Sequence, residues 1–376
     1  MLHTDTNPPH AAAHTATRLP YAALADEVAR LLADPSVNVP PRLVQALPGG
    51  GRLFVMPAHD SRLAMTKLIT LTVPSAATAG LPAIQGDVLV FDVATGQRVA
   101  WLDGPTVTAR RTAAVSLLAA QRLAPAPDGP LLVVGAGVQG LAHLEAFAQG
   151  LGVREVWVAS RSTASAQQLV DHAHSLGLHA HRVTDLAAAL ARCTLVATCT
   201  TGHAVVLEEP LAPHQFVTAV GAYTPAMAEL SVQLCRHAAA HGTVVVDTPE
   251  AAHEAGDLLQ AGLDPGQFRT LAQVLQQPGT VDPGRGGAGT GPVLFKSCGW
   301  AGWDRAWASR DGGRARPDHA WRGRHAAGDG QLLAHGCGPQ GAQCPLPALA
   351  GGGAAWSHVF AAGAAVRALA RAAGGG

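Results

Sequence analysis

Three observations predict an α/β protein built on a doubly wound parallel sheet. The apolar run Leu131-Leu132-Val133-Val134 leads straight into Gly135-Ala136-Gly137-Val138-Gln139-Gly140, and a helical pattern follows. A second strand, Glu155-Val156-Trp157-Val158-Ala159, comes after that helix. Strand-like and helix-like segments then alternate, the signature of a sheet covered on both faces.

Each element has a local cause. Residues 1–19 form a polar lead-in. Tyr21 to Leu32 places Leu24, Val28, Leu31 and Leu32 at helical spacing. Arg52–Met56, Ala64–Leu71 and Asp87–Asp92 are strand-like and separated by Pro and Gly. Ala94-Thr95-Gly96-Gln97 is a hairpin turn into Arg98–Trp101. Thr106 to Leu123 is helical, with Thr106 as the expected N-cap. Pro125–Pro130 is a linker. Further strands are expected near 181–183, 195–197, 216–220 and 244–246, with helices near 166–176 and 187–192. A glycine-rich loop from Gln277 leads to Pro292–Ser297. Beyond Asp304, Arg, Gly, Ala and Pro crowd together and periodicity fades, so most of Arg305–Pro347 is expected to be disordered or poorly packed. This stretch has the composition of an out-of-frame continuation of a GC-rich gene, which the coding DNA decides. His335, Cys337 and Cys344 lack a second pair at finger spacing, so no metal site is expected.

Composition narrows the function. The chain has 376 residues, 48% of them apolar, and zero formal net charge. Basic residues are scattered, which argues against nucleic acid. No stretch has the ~20 apolar residues of a membrane span. The first residues lack the charged and apolar regions of a signal peptide. Six cysteines without paired spacing suit a cytoplasmic enzyme with reduced thiols.

The strand–turn–helix around Gly135 is the context a dinucleotide pyrophosphate requires. Gly135 permits the turn, Gly137 lets the backbone approach the phosphates, and Gly140 lets the helix pack on the strand. Free N–H groups at the helix start then face the anion. The second strand ends Ala159-Ser160-Arg161-Ser162. An acidic residue here would bind ribose hydroxyls; a guanidinium and hydroxyls suit a 2′-phosphate instead. NADPH is therefore the expected cofactor, with NADH the alternative. The loop Thr198-Cys199-Thr200-Thr201-Gly202 follows a strand, and its hydroxyls can reach the nicotinamide or its ribose. Cys199 has no evident partner base, and His143 is expected to be a packing residue.

Lys67 lies in an apolar strand. It either points to solvent or faces inward as a proton donor or ion-pair partner. Arg110 and Arg111 are about 100° apart on a helix. Arg111 lies closer to the apolar stripe Val107, Ala114, Leu117 and Leu118, and is the better candidate to clamp a carboxylate. Two solvated arginines remain the alternative. Arg52 can supply a second cation.

Five blocks together resemble the ornithine cyclodeaminase/μ-crystallin family: Met65-Thr66-Lys67-Leu68, Thr95-Gly96, Thr108–Ala114, the glycine turn, and Phe295-Lys296-Ser297-Cys298-Gly299. The resemblance spans about Leu19 to Asp304. It implies a Rossmann-type sheet plus a discontinuous α+β substrate and dimerisation domain. The expected parts are residues 1–125, a nucleotide domain 126–291, a return segment 292–304 and, by composition, an atypical tail 305–376. It also implies a homodimer with the active site between the two domains. Arg52, Lys67 and Arg111 would bind substrate, with Lys67 catalytic. Gly135, Gly137, Val138, Gln139, Gly140, Ser160, Arg161, Ser162, Thr200, Thr201 and Ser297 would hold the cofactor. Cyclodeaminases carry an aspartate in the loop after the fifth strand, where this chain has Tyr223. The Thr224-Pro225 form resembles the reductases of the family, which act on small cyclic imino acids. Cyclodeaminase, alanine dehydrogenase and a non-catalytic NADPH-binding, crystallin-like protein are the alternatives.

Overall fold

The computed structural model describes residues 12–34, 36–38, 40, 43–73, 81–82, 84–202, 204–276 and 291–298. Two helices come first, α1 (Ala12–Thr17) and α2 (Tyr21–Leu32). Five strands then form an antiparallel meander in chain order: β1 (Leu43–Ala46), β2 (Arg52–His59), β3 (Leu63–Leu71), β4 (Ile84–Asp92) and β5 (Arg98–Asp103). The turn between β4 and β5 closes on Gly96, whose φ of 68° suits glycine. The long helix α3 (Gly104–Leu123) follows. Its N-cap is Asp103, not Thr106: the Asp103 carboxylate accepts from the Thr106 N–H at 2.8 Å. Pro105 occupies the first turn, where its missing N–H does no harm.

The second sheet is parallel throughout. It comprises β6 (Leu131–Val134), β7 (Glu155–Ala159), β8 (His179–Arg182), β9 (Leu195–Thr198), β10 (Phe216–Ala219), β11 (Thr243–Val246), β12 (Arg269–Thr270) and β13 (Val293–Lys296). The intervening helices are α4 (Val138–Leu151), α5 (Thr163–Ser175), α6 (Leu186–Arg192), α7 (Val232–His241), α8 (Ala251–Glu254), α9 (Gly256–Gln260) and α10 (Leu271–Gln276). The strand order is β12-β11-β13-β10-β9-β6-β7-β8. The chain leaves β6 toward β7 and β8, then returns to build β9 and β10 on the other side. That reversal opens a crevice at the carboxyl ends of β6 and β9.

Strand alternation divides the core. Leu131, Val133, Leu195, Phe216 and Phe295 face α2–α5 and the antiparallel sheet. Leu132, Val134, Val196, Val217 and Leu294 face α6, α7 and α9. Helix α3 touches β3, β4 and β5 as well as β10 and β13, so it links both sheets.

Val293–Lys296 departs from the expected return segment. It lies within the parallel sheet, between β10 and β11. All four residues are buried, so the apolar run fills a central slot with neighbours on both sides. The expectations for residues 299–304 and 305–376, His335, Cys337 and Cys344 included, lie outside the described residues. Among the described residues no helix is long and apolar enough to cross a membrane.

Candidate functional site

The glycine turn has a distinct requirement at each position. Gly135 adopts φ 113°, and a Cβ there would lie 2.6 Å from the Cys199 carbonyl oxygen. A Cβ on Gly140 would overlap the Gly135 carbonyl. A Cβ on Gly137 would meet nothing. Gly137 is also the N-cap of α4 and has no side chain to cap it. Gly135 and Gly140 are thus demanded by packing, while Gly137 leaves open space before an uncapped helix start. A dinucleotide pyrophosphate fits this arrangement. Val138 is exposed beside it, and the Gln139 side-chain oxygen is buried without a partner.

Ser160, Arg161 and Ser162 stand at the end of β7. Arg161 is exposed, with no ion pair among the described residues. The Ser162 hydroxyl caps α5 by accepting from the Ser165 N–H at 3.2 Å. On the other side of the crevice, the Thr200 hydroxyl accepts from the Gly202 N–H at 3.1 Å, and Thr201 is exposed. Cys199 is buried, and burial raises its thiol well above the usual range, so it is a neutral group.

The cationic residues meet at α3. Lys67 shares the inward face of β3 with Met65 and Ile69 and is 8% exposed. Its Nζ donates to Thr108 Oγ1 at 2.8 Å, and the Thr108 hydroxyl donates onward to the Gly104 carbonyl at 2.9 Å. The close approach of α3 to β3 and β4 depends on two glycines. A Cβ on Gly104 would come within 2.7 Å of the Gly86 carbonyl oxygen, and one on Gly86 would overlap the Leu68 carbonyl. Arg111 lies one turn beyond Thr108 on the same face. It is buried, and no acceptor among the described residues meets its Nε. Burial pulls its pKa down to about 10, opposed by the nearby Asp247 carboxylate, so it remains a desolvated cation at neutral pH.

Asp247 follows β11 and accepts from Thr248 N–H at 2.9 Å, Ser297 Oγ at 2.9 Å and Cys298 N–H at 3.0 Å. Ser297, expected on the cofactor, therefore directs its hydroxyl hydrogen to Asp247. Neither Asp247 nor Thr108 has a role in the sequence-based expectation. The available signal for Asp247 was a carboxylate directly after the apolar run Val244-Val245-Val246, at the functional end of a parallel strand.

Arg52 does not join this cluster. It is exposed at the start of β2, where Met56, four residues on, is the register partner of Lys67. At about 3.3 Å per residue this separates the two backbone positions by roughly 13 Å along the sheet. Arg110 is structural. Its Nε donates to the Leu19 carbonyl at 2.7 Å, its guanidinium lies 3.9 Å from the Tyr21 ring centroid, and Glu145 is 3.5 Å away.

His143 sits in a buried chain between α3, α4 and β10. Its Nδ1 must donate to the Gln139 carbonyl at 2.7 Å, so Nε2 accepts from Ser116 Oγ at 2.9 Å. Ser116 in turn accepts from Thr218 at 2.9 Å. Burial lowers the His143 pKa from 6.5 to about 4. The unfolded chain therefore binds a proton below about pH 6.5 that the native chain refuses until about pH 4. Stability is expected to fall by about 3 kcal/mol across that window. In urea unfolding at pH 7 and 4.5, His143→Gln should show a shallower acid loss than wild type. Equal losses would remove His143 as the cause.

Residues 14–310 match the family model described as the ornithine cyclodeaminase/mu-crystallin family. The chain is 38% identical over 315 residues to Delta(1)-pyrroline-2-carboxylate reductase 1 of Burkholderia multivorans, covering 81% of this chain and 95% of the relative. It is 37% identical over 303 residues to the Delta(1)-pyrroline-2-carboxylate/Delta(1)-piperideine-2-carboxylate reductase of Azospirillum brasilense, covering 78% and 92%. In fold it is similar to Thermococcus litoralis Delta(1)-pyrroline-2-carboxylate reductase, solved in complex with NADH and L-proline. There the TM-score is 0.63 at 24% identity, over 73% of this chain and 87% of the other.

Proposed function

The chain belongs to the ornithine cyclodeaminase/mu-crystallin family, and from that premise we propose that it is an NADPH-dependent reductase of cyclic ketimine acids. Its substrates are Δ1-pyrroline-2-carboxylate and Δ1-piperideine-2-carboxylate, reduced to L-proline and L-pipecolate. The observation that carries this reading is the Lys67–Thr108–Arg111 cluster, both of its cations buried and the Arg111 Nε–H without an acceptor among the described residues.

Such a substrate carries a carboxylate beside a C=N bond. Arg111 binds the carboxylate through charge-assisted hydrogen bonds, which a desolvated guanidinium makes strongly. Asp247 holds a compensating charge nearby. Lys67, oriented by Thr108, keeps a proton at the ring nitrogen, so the electron pair of the C=N bond has a destination as carbon 2 is reduced. Bound at the glycine turn, the nicotinamide coenzyme supplies the hydride. Holding the acid group and the ring nitrogen together fixes which carbon faces the crevice. Arg161 favours the 2′-phosphate of NADPH. Tyr223, 41% exposed in the loop after β10, offers no carboxylate for ammonia release from ornithine.

The test is steady-state oxidation of NADPH and NADH with each imine, followed by absorbance. Turnover with both rings and a lower KM for NADPH are expected. Ammonia release from ornithine, or coenzyme binding without turnover, would overturn the assignment. Arg161→Asp should raise the NADPH KM by about 10- to 100-fold, the value of a charge-assisted bond, and leave NADH nearly unchanged. Equal losses with both coenzymes would remove the 2′-phosphate argument.

A further inference from the structure

Behind the crevice lies a second buried charge cluster that takes no part in the chemistry above. Glu229 is fully buried. Its Oε1 accepts from the Thr200 N–H at 2.6 Å. Its Oε2 accepts from Thr198 Oγ1 at 2.8 Å and from the Gly221 N–H at 2.7 Å. Thr198 ends β9, and Thr200 and Gly221 lie in the loops that leave β9 and β10. One carboxylate therefore joins the ends of two adjacent strands.

The surroundings permit little other arrangement. A Cβ on Gly221 would overlap both the Glu229 carboxylate and the Thr200 carbonyl. A Cβ on Gly202 would lie 2.6 Å from the Gly221 carbonyl oxygen. The Glu229 backbone is braced as well. Its N–H donates to Asp257 Oδ1 at 2.6 Å, and its carbonyl accepts from Val206 N–H at 2.7 Å. Asp257 pairs with the buried Lys296 at 2.7 Å, and Lys296 donates to the Ala219 carbonyl at 3.3 Å. The brace thus reaches β13 and the last residue of β10.

Topology says what these loops serve. The pyrophosphate position is at α4. The β7 end, with Ser160 and Arg161, lies on one side of β6; the β9 and β10 ends lie on the other. A dinucleotide laid across β6 puts its adenosine half toward β7 and its nicotinamide half toward β9 and β10. The β9 loop also packs on the glycine turn, through the Cys199 carbonyl beside Gly135.

We propose that Glu229 is a positioning residue for the coenzyme: its carboxylate locks the β9 and β10 loops into the one arrangement that accepts the nicotinamide half. This rests on the coenzyme reading given above. Glutamine in its place is diagnostic. Both oxygens accept from backbone N–H groups, so an amide nitrogen at either position sets donor against donor and one loop must release. The same substitution removes a buried negative charge from a trio, Glu229, Asp257 and Lys296, that holds two carboxylates and one ammonium. Global stability therefore has no reason to fall in step with site geometry.

The experiment measures NADPH binding to the full chain by calorimetry, with thermal melts alongside. Glu229→Gln is expected to weaken NADPH by about 10- to 100-fold, the loss of one or two bonds to a charged acceptor. Its melting temperature should fall by only a few degrees, as one unsatisfied donor implies. Imine KM at saturating NADPH should shift far less than the coenzyme constant. Thr198→Val removes one donor and leaves both backbone bonds, so a smaller loss is expected, restored by Thr198→Ser. Wild-type protein that fails to bind NADPH would sink the coenzyme reading itself. Normal wild-type binding with unchanged affinity in a folded Glu229→Gln variant would overturn the role of Glu229. If that variant does not fold, unchanged affinity in Thr198→Val overturns it.

Discussion

Lys67→Met is expected to lower kcat by about two to four orders of magnitude, the usual share of a positioned proton donor, while NADPH affinity changes little. Methionine keeps most of the stem volume against Met65 and Ile69 and removes only the ammonium. The Thr108 hydroxyl keeps its bond to the Gly104 carbonyl, so the start of α3 holds its place against β3. Replacing a buried charge with an apolar side chain of similar size is often neutral for stability. A folded, coenzyme-binding and nearly inactive protein is therefore the expected product. Acid provides a second signature. Without Lys67 the imine must take its proton from solvent, so the residual rate should climb as pH falls, more steeply than in wild type. Calorimetric binding of NADPH beside single-turnover rates at several pH values tests both statements. Near-normal turnover would make Lys67 a structural residue.

The legible parts of this fold are those set by local chemistry. The apolar run, the glycine turn and the helix after it are contiguous, and Gly135 and Gly140 answer to local steric demands. Helical phase separated Arg111 from Arg110, since both sit on one continuous helix whose apolar stripe is visible. Lys67 was open to two orientations. The alternation Met65-Lys67-Ile69 identifies its face, but only the packing of α3 on that face decides that it is the buried one. The distance of Arg52 from Lys67 along the sheet was not legible, because two strands with sound patterns say nothing of their mutual register. The place of β13 between β10 and β11 is likewise a matter of topology; chain order would set it at an edge. Glu229 lies in the run Pro225-Ala226-Met227-Ala228-Glu229-Leu230, yet its three donors come from the ends of two strands that only the sheet brings together.

Arg111→Leu is expected to raise the imine KM by about 100-fold or more, since losing one partner of a desolvated charge pair costs about 2–5 kcal/mol. Two effects are mixed in that variant. The substrate carboxylate loses its clamp, and Asp247 loses a compensating charge. Asp247 keeps three donors of its own, Thr248 N–H, Ser297 Oγ and Cys298 N–H, so the protein should fold, with a lower melting temperature. Adding Asp247→Asn removes the carboxylate charge but sets an amide nitrogen against a backbone N–H, because Oδ1 accepts from Thr248 and Oδ2 from Cys298. The double variant should recover part of the lost stability and leave KM as high as in Arg111→Leu alone. Recovery of both together would mean that Arg111 acts only by neutralising Asp247. Recovery of stability alone makes Arg111 the group that grips the acid. Arg111→Lys sharpens the distinction. An ammonium keeps the charge near Asp247 but cannot offer the paired donors of a guanidinium. Stability should then stay near wild type while the imine KM still rises, and an unchanged KM would show that charge without the fork suffices.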